Sequence, residues 1–217
     1  MFRTALYQPT QAYSSVISKI AILFLALSIT TASSEANSNT IRVRVNGSVV
    51  IDVPENWTVF SDNQRLKLSE YVDSQISDNP AADLNFAANY YFHDAAIAAV
   101  NTRFYPYQTI TQKEVQAFSA IEIKELDLQI REGISKSLQP TGLTILTWFD
   151  TRRMEINGIS VLLSEYRRSH PADFVYVVRL VRVLDAHQSF TLTVSYREDY
   201  EKSLRPVADK IILSLKN

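Results

Sequence analysis

The sequence predicts an α+β domain in which an antiparallel β-sheet carries helices on both faces, an αβα sandwich. Three observations carry that reading. Asn157–Gly158 stands between two apolar-rich runs, and this pair suits a two-residue hairpin turn whose central positions both take positive φ. Thr111 with Glu114, and Ser119 with Glu122, have the spacing of two successive capping boxes and so predict two helix starts. Phe174 to Leu184 is apolar at both parities apart from Arg179 and Arg182, as a strand covered on both faces must be.

A chain of 217 residues fits one domain with a sizeable core. Its formal net charge of −1 leaves no electrostatic footprint for nucleic acid, which is excluded as an expected partner. With no cysteine there is no disulfide, no thiolate chemistry, no cysteine-ligated zinc and no lipid-acylated cysteine. The apolar run Ile20 to Ile29 follows Lys19, precedes small residues and is short for a bilayer span, which is the shape of a secretory signal peptide. Residues 1–36 are read as that peptide, cleaved after Ala32 or Ala36, and 37–217 as the single domain. Only Arg3 is basic before Lys19, so a true start nearer Val16 is expected. The expected location is the periplasm, or secretion beyond it; left uncleaved, the run is a membrane anchor.

Within the domain, Ile41 to Val45 and Val49 to Val53 flank Asn46–Gly47 as a first hairpin. A short strand and a short helix follow Trp57. Leu84 to Phe92 and Ala95 to Tyr105 are dense in aromatics and broken at His93–Asp94, which predicts two strands in spite of their alanines. The second capped helix carries Leu126, Ile130, Ile134 and Leu138 as a stripe that must pack on a sheet. Around Asn157–Gly158 an unbroken register sets Ile156 opposite Ile159, Met154 opposite Val161, Arg152 opposite Leu163 and Asp150 opposite Glu165. Ser189 to Tyr196 alternates strictly, and Leu204, Val207, Ile211 and Leu215 close the chain as a helix with Ser203 as N-cap and Pro206 in its first turn.

Four stretches together resemble the PsbP/Mog1-like fold, including periplasmic DcrB-like proteins. They are Val49–Ile51–Val53–Pro54–Trp57, the Ile156–Asn157–Gly158–Ile159 hairpin, the Phe190 to Tyr196 strand, and Asp209 to Leu215. The resemblance implies an accessory subunit, chaperone-like adaptor or binding protein, with no shared site whose residues carry over. DcrB-like proteins are lipoproteins, a trait this cysteine-free chain does not share.

The unbroken register gathers Asp150, Arg152, Glu165, Arg167 and Arg179 on one sheet face. Asp150 and Glu165, directly opposed, form the candidate catalytic pair, since neighbouring carboxylates split their pKa values as glycan hydrolysis needs. The competing reading is a salt-bridge ladder clamped by arginines. Arg152, Arg167 and Arg179 are candidate binding residues, together with Tyr91, Tyr105 and Tyr107 from an aromatic segment around Pro106. About half of those aromatics must face the core, because strand side chains alternate. Of the two arginines in the central strand, Arg182 has Thr191 as its neighbour and Arg179 points toward Glu165. His93, His170 and His187 fall at separate turns, and no metal or cofactor is expected. With four glycines and no Gly-x-Ser-x-Gly, neither a phosphate-cradling loop nor a nucleophile elbow is present. The expected function is that of an exported, non-enzymatic binding or accessory protein engaging another protein. Alternatives are a glycan-acting envelope hydrolase and an immunity or inhibitor protein against a secreted toxin.

Overall fold

β1 (Thr40–Asn46) and β2 (Val49–Pro54) pair antiparallel, with Ile41 opposite Val53 and Val43 opposite Ile51. This is the first hairpin the alternation predicts. The computed structural model describes residues 39–46, 49–75, 83–105, 110–186 and 189–216. The leader with its cleavage sites, Gly47, Pro106, Tyr107 and His187 lie outside them.

β3 (Thr58–Val59), β4 (Asp83–Phe92), β5 (Ala95–Tyr105), β6 (Ile145–Ile156), β7 (Ile159–Ser169), β8 (Val175–Val183) and β9 (Ser189–Arg197) form a second, fully antiparallel sheet. Its order is β3-β4-β5-β9-β8-β7-β6, so the two strands richest in alternating and continuous apolar residues, β9 and β8, lie inside it. The turns follow from backbone chemistry. Asn157 and Gly158 both take positive φ (50° and 82°), and so do His93 and Asp94 (46° and 62°), which places two ordinary L residues in the left-handed region.

One face of the large sheet holds the core. Val161 and Leu163, Val177 and Val181, Leu192 and Val194, and Val100 pack beneath the β1–β2 hairpin and the C-terminal helix α4 (Glu201–Leu213). On β9 the same face carries Phe190 and Tyr196, while Thr193 and Ser195 on the other face are only half-buried. The end of the chain is tied down twice. Lys216 bridges Val50, and the Asn157 side-chain amide donates to the carbonyls of Leu213 and Leu215 (3.0 and 2.8 Å).

The other face carries α2 (Gln112–Ala117) and α3 (Ala120–Leu138), while α1 (Asp62–Gln75) packs against β4. Both capping boxes form: Thr111 and Ser119 each accept from the backbone N–H three residues on, and Glu114 and Glu122 accept from the backbone N–H of Thr111 and Ser119. Those hydrogen bonds hold both glutamates below the usual carboxylate range. Ser119→Ala is expected to lower stability by about 1 kcal/mol, read from the urea midpoint.

Two expectations are corrected here. The stripe on α3 is less deeply covered than its spacing suggests: Ile130 is buried, whereas Leu126, Ile134 and Leu138 are half-buried, because α3 lies over the sheet edge at β6. Ser203 is not the N-cap of α4. A 3-10 turn (Glu198–Tyr200) leads straight into the helix, Tyr200 takes the cap position, and the Ser203 hydroxyl donates to the Tyr200 carbonyl, leaving Pro206 inside the helix on its exposed side.

Candidate functional site

Glu165 sits where sequence places it on β7, directly opposite Arg179 on β8. Its side chain is 12% exposed, and α4 supplies its main partner. Arg205 donates to both of its carboxylate oxygens (2.9 Å each), and the Arg179 guanidinium lies 3.3 Å from it. Arg179, 4% exposed, reaches on to Asp209. Arg205 also holds Glu201 (2.8 Å), Glu201 accepts from Arg167 (3.2 Å), and Arg167 pairs with Glu198 while its guanidinium lies over the Phe149 ring. Burial would raise the Glu201 pKa, but the hydrogen bonds from Arg205 and Arg167 outweigh it and hold the carboxyl below its usual range. Beneath the network Tyr196 is buried with an unpartnered hydroxyl, and burial pushes its pKa up to about 12. Glu165 is thus clamped between two arginines, an arrangement that locks α4 onto the sheet.

Asp150 is absent from this network, which corrects the predicted pair. The register holds at Ile156, Met154 and Arg152, then shifts between Arg152 and Phe149, so that Phe149 rather than Asp150 stands opposite Glu165. Asp150 is exposed on edge strand β6. The bulge is satisfied by Asp127 on α3, 8% exposed, whose Oδ1 accepts from the Thr151 backbone N–H (2.7 Å) and from Trp148 Nε1 (2.9 Å). The Thr151 amide is therefore turned toward a helix instead of β7, and an extra residue bulges out of the ladder. Arg152, opposite Leu163, is exposed and joins none of the ion pairs among the described residues.

The aromatic segment divides. Tyr90 stacks on Trp57 (6.2 Å) and Phe104 on Phe190 (5.3 Å), both facing the core. Tyr91 is half-buried beside the β4–β5 turn, with its hydroxyl 3.3 Å from the Asn89 amide nitrogen. Tyr105 stands at the far end of β5, opposite Ser189, so Tyr91 and Tyr105 cannot share one patch.

What gathers instead, at the Tyr91 end, is a run of rings and guanidiniums drawn from four separate parts of the chain. Phe92 (43% exposed) touches His93 and Tyr200 edge-on (4.2 and 5.7 Å). Arg197 lies 3.7 Å above the Phe174 ring and 5.3 Å from that of Tyr200, while Asp199 accepts from its guanidinium. Phe174 (39% exposed) neighbours His170, which neighbours Tyr176, and Arg168 stacks over Tyr176 (5.1 Å). Burial, with the charges of Arg168 and Arg197 adding to it, lowers the His170 pKa, and burial lowers that of Arg168. The sequence shows Phe92 only as the end of an aromatic-dense strand and does not display this cluster, because its members meet only when the ends of β4, β7, β8 and β9 are side by side.

No family model matches the chain, and no curated protein matches it in sequence. Solved structures do resemble it. Cyanobacterial PsbP (CyanoP) from Synechocystis sp. PCC 6803 superposes with a TM-score of 0.53 at 9% identity, over 86% of this chain and 96% of that one. LpqN of Mycobacterium tuberculosis, described as involved in cell envelope biogenesis, gives 0.43 at 13% identity over 83% and 91%. The first likeness shows the fold, and the chain is an α+β domain of PsbP-like architecture.

Proposed function

We propose that this PsbP-like domain is an exported, non-enzymatic accessory protein that engages another protein of the cell envelope through the ring-and-guanidinium cluster around Phe92, Phe174 and Arg197. The observation that carries the reading is the cluster's composition and exposure. Two phenylalanines stand about two-fifths exposed beside an arginine stacked 3.7 Å from one of them, and aromatic and arginine side chains of this kind supply most of the binding energy in protein interfaces. The turn that presents Phe92 holds His93 and Asp94 at positive φ, a strained conformation of the sort that accumulates at binding sites. The signal-like run Ile20 to Ile29 supports export, to the periplasm or beyond it. A hydrolase reading loses its basis, since Asp150 and Glu165 are not opposed and Glu165 is clamped by arginines.

Affinity capture from the organism's own envelope tests the reading. The mature wild-type chain is expected to retain one partner protein, and Phe174→Ala or Phe92→Ala to weaken its capture by about 30-fold while the thermal midpoint stays within a few degrees. Undiminished capture by both folded variants would refute this surface.

A further inference from the structure

At the opposite end of the sheet, a groove of about 380 Å³ runs between α3 and strands β8 and β9. That volume lies at the small end of the ~300–1,000 Å³ usual for small-molecule sites. Leu126, Ile130 and Leu162 give it an apolar wall, and Tyr105, Gln129 and Thr191 place polar groups along it. Arg182 is the only charged residue among its described lining.

Arg182 has no acid. Its cross-strand neighbours are Leu162 and Thr191, its Nε is buried without a hydrogen-bond partner, and it enters no ion pair among the described residues. The ionisable side chains near it are the phenols of Tyr105 and Tyr166, and burial pushes its pKa down. Arg153 shows what the same row of the sheet does with a guanidinium that has protein partners. It stands on the other side of Leu162 and donates to the carbonyls of Val115 and Phe118 at the end of α2 (3.2 and 2.9 Å). Arginine cannot shed its proton to relieve burial, so a cation left this way calls for an anion from outside.

A second observation comes from the helix. Leu126, Gln129, Ile130 and Gly133 form one stripe of α3 over the groove, and Gly133 is a glycine in the interior of a 19-residue helix. Mid-helix glycine is unfavourable unless something needs the space, and a Cβ at Gly133 would meet nothing within 4 Å. Among the described residues, no atom uses the room it leaves.

We propose that this groove binds a small amphiphile, an acyl chain with an anionic head, with the head paired to Arg182 and the chain laid along Leu126, Ile130 and Leu162 beneath Gly133. The site is separate from the Phe92/Phe174 cluster, so the two readings fail independently.

Isothermal titration of the mature protein with decanoate below its micellar concentration tests it. The expected result is saturable one-to-one binding, at least tenfold weaker in Arg182→Gln and at least tenfold weaker for 1-decanol, which has the same chain without the charge. Gly133→Leu fills the vacant space and is expected to abolish binding while holding or raising the thermal midpoint, so it carries the test if Arg182→Gln does not fold. Decyl phosphate separates the sources: binding equal to decanoate assigns a general anion-headed lipid, and binding of decanoate alone assigns a fatty acid. A folded wild-type protein that does not bind decanoate, or Gly133→Leu binding it as tightly as wild type, overturns the proposal.

Discussion

Glu165→Ala is expected to destabilise the protein by about 3–5 kcal/mol, the cost of removing one partner from a buried ion pair and leaving the other charged. Two guanidiniums, those of Arg179 and Arg205, converge on this one carboxylate, and Arg179 is 4% exposed, so water cannot replace what is lost. A loss of this size removes about a fifth or more of the stability of a typical domain. Asp209 and Glu201 remain to hold the outer sides of the two arginines, which keeps the loss near the lower end of that range. Asp150→Asn, by contrast, is expected to stay within about 0.5 kcal/mol, as exposed substitutions do. The cycle of wild type, Glu165→Leu, Arg179→Met and the double variant Glu165→Leu/Arg179→Met checks the mechanism. Because an apolar replacement of a buried pair is often neutral, the double variant should recover at least half of the single-variant loss. Urea unfolding of the four proteins measures it, and additive losses would show that the pair is not coupled.

Much of this fold is legible in the sequence because its signals are local. The Asn157–Gly158 pair sets the hairpin, two hydroxyl–glutamate spacings set the helix starts, and the two-sided apolar pattern of β8 puts it inside the sheet. Even Arg179 facing Glu165 follows from β7 and β8 being neighbours of opposite direction. What sequence does not display is contact between distant elements. Arg205 reads as a solvent-facing helix residue until α4 is laid across β7, where it supplies most of the clamp on Glu165. The ring cluster is assembled from strand ends far apart in the chain, and the unpartnered Nε of Arg182 appears only once the strands around it are in place. The one sequence signal that pointed to a missed residue is Asp127: a carboxylate one residue from Leu126 and three from Ile130, on the buried side of an amphipathic helix, must have donors waiting for it.

Asp127→Ala is accordingly expected to cost about 3 kcal/mol, since it orphans the buried Thr151 amide and the half-buried Trp148 indole, at roughly 1–3 kcal/mol each. The substitution also removes the acceptor that satisfies the bulge. An unbroken register would bring Asp150 opposite Glu165, but it would move Trp148 away from Tyr166, on which it stacks at 5.5 Å, and Phe149 away from the Arg167 guanidinium. Shifting β6 by one residue would turn each of those rings to the other face. The stacks therefore outweigh a tidier ladder, and the bulge is expected to persist with its amide unsatisfied. Amide exchange at Thr151 should rise sharply, the near-ultraviolet circular dichroism of Trp148 should be retained, and Asp127→Asn, which keeps one acceptor, should lose less than Asp127→Ala. Unchanged stability with Thr151 still protected would mean that β6 has found another partner for that amide and that Asp127 is not what satisfies the bulge.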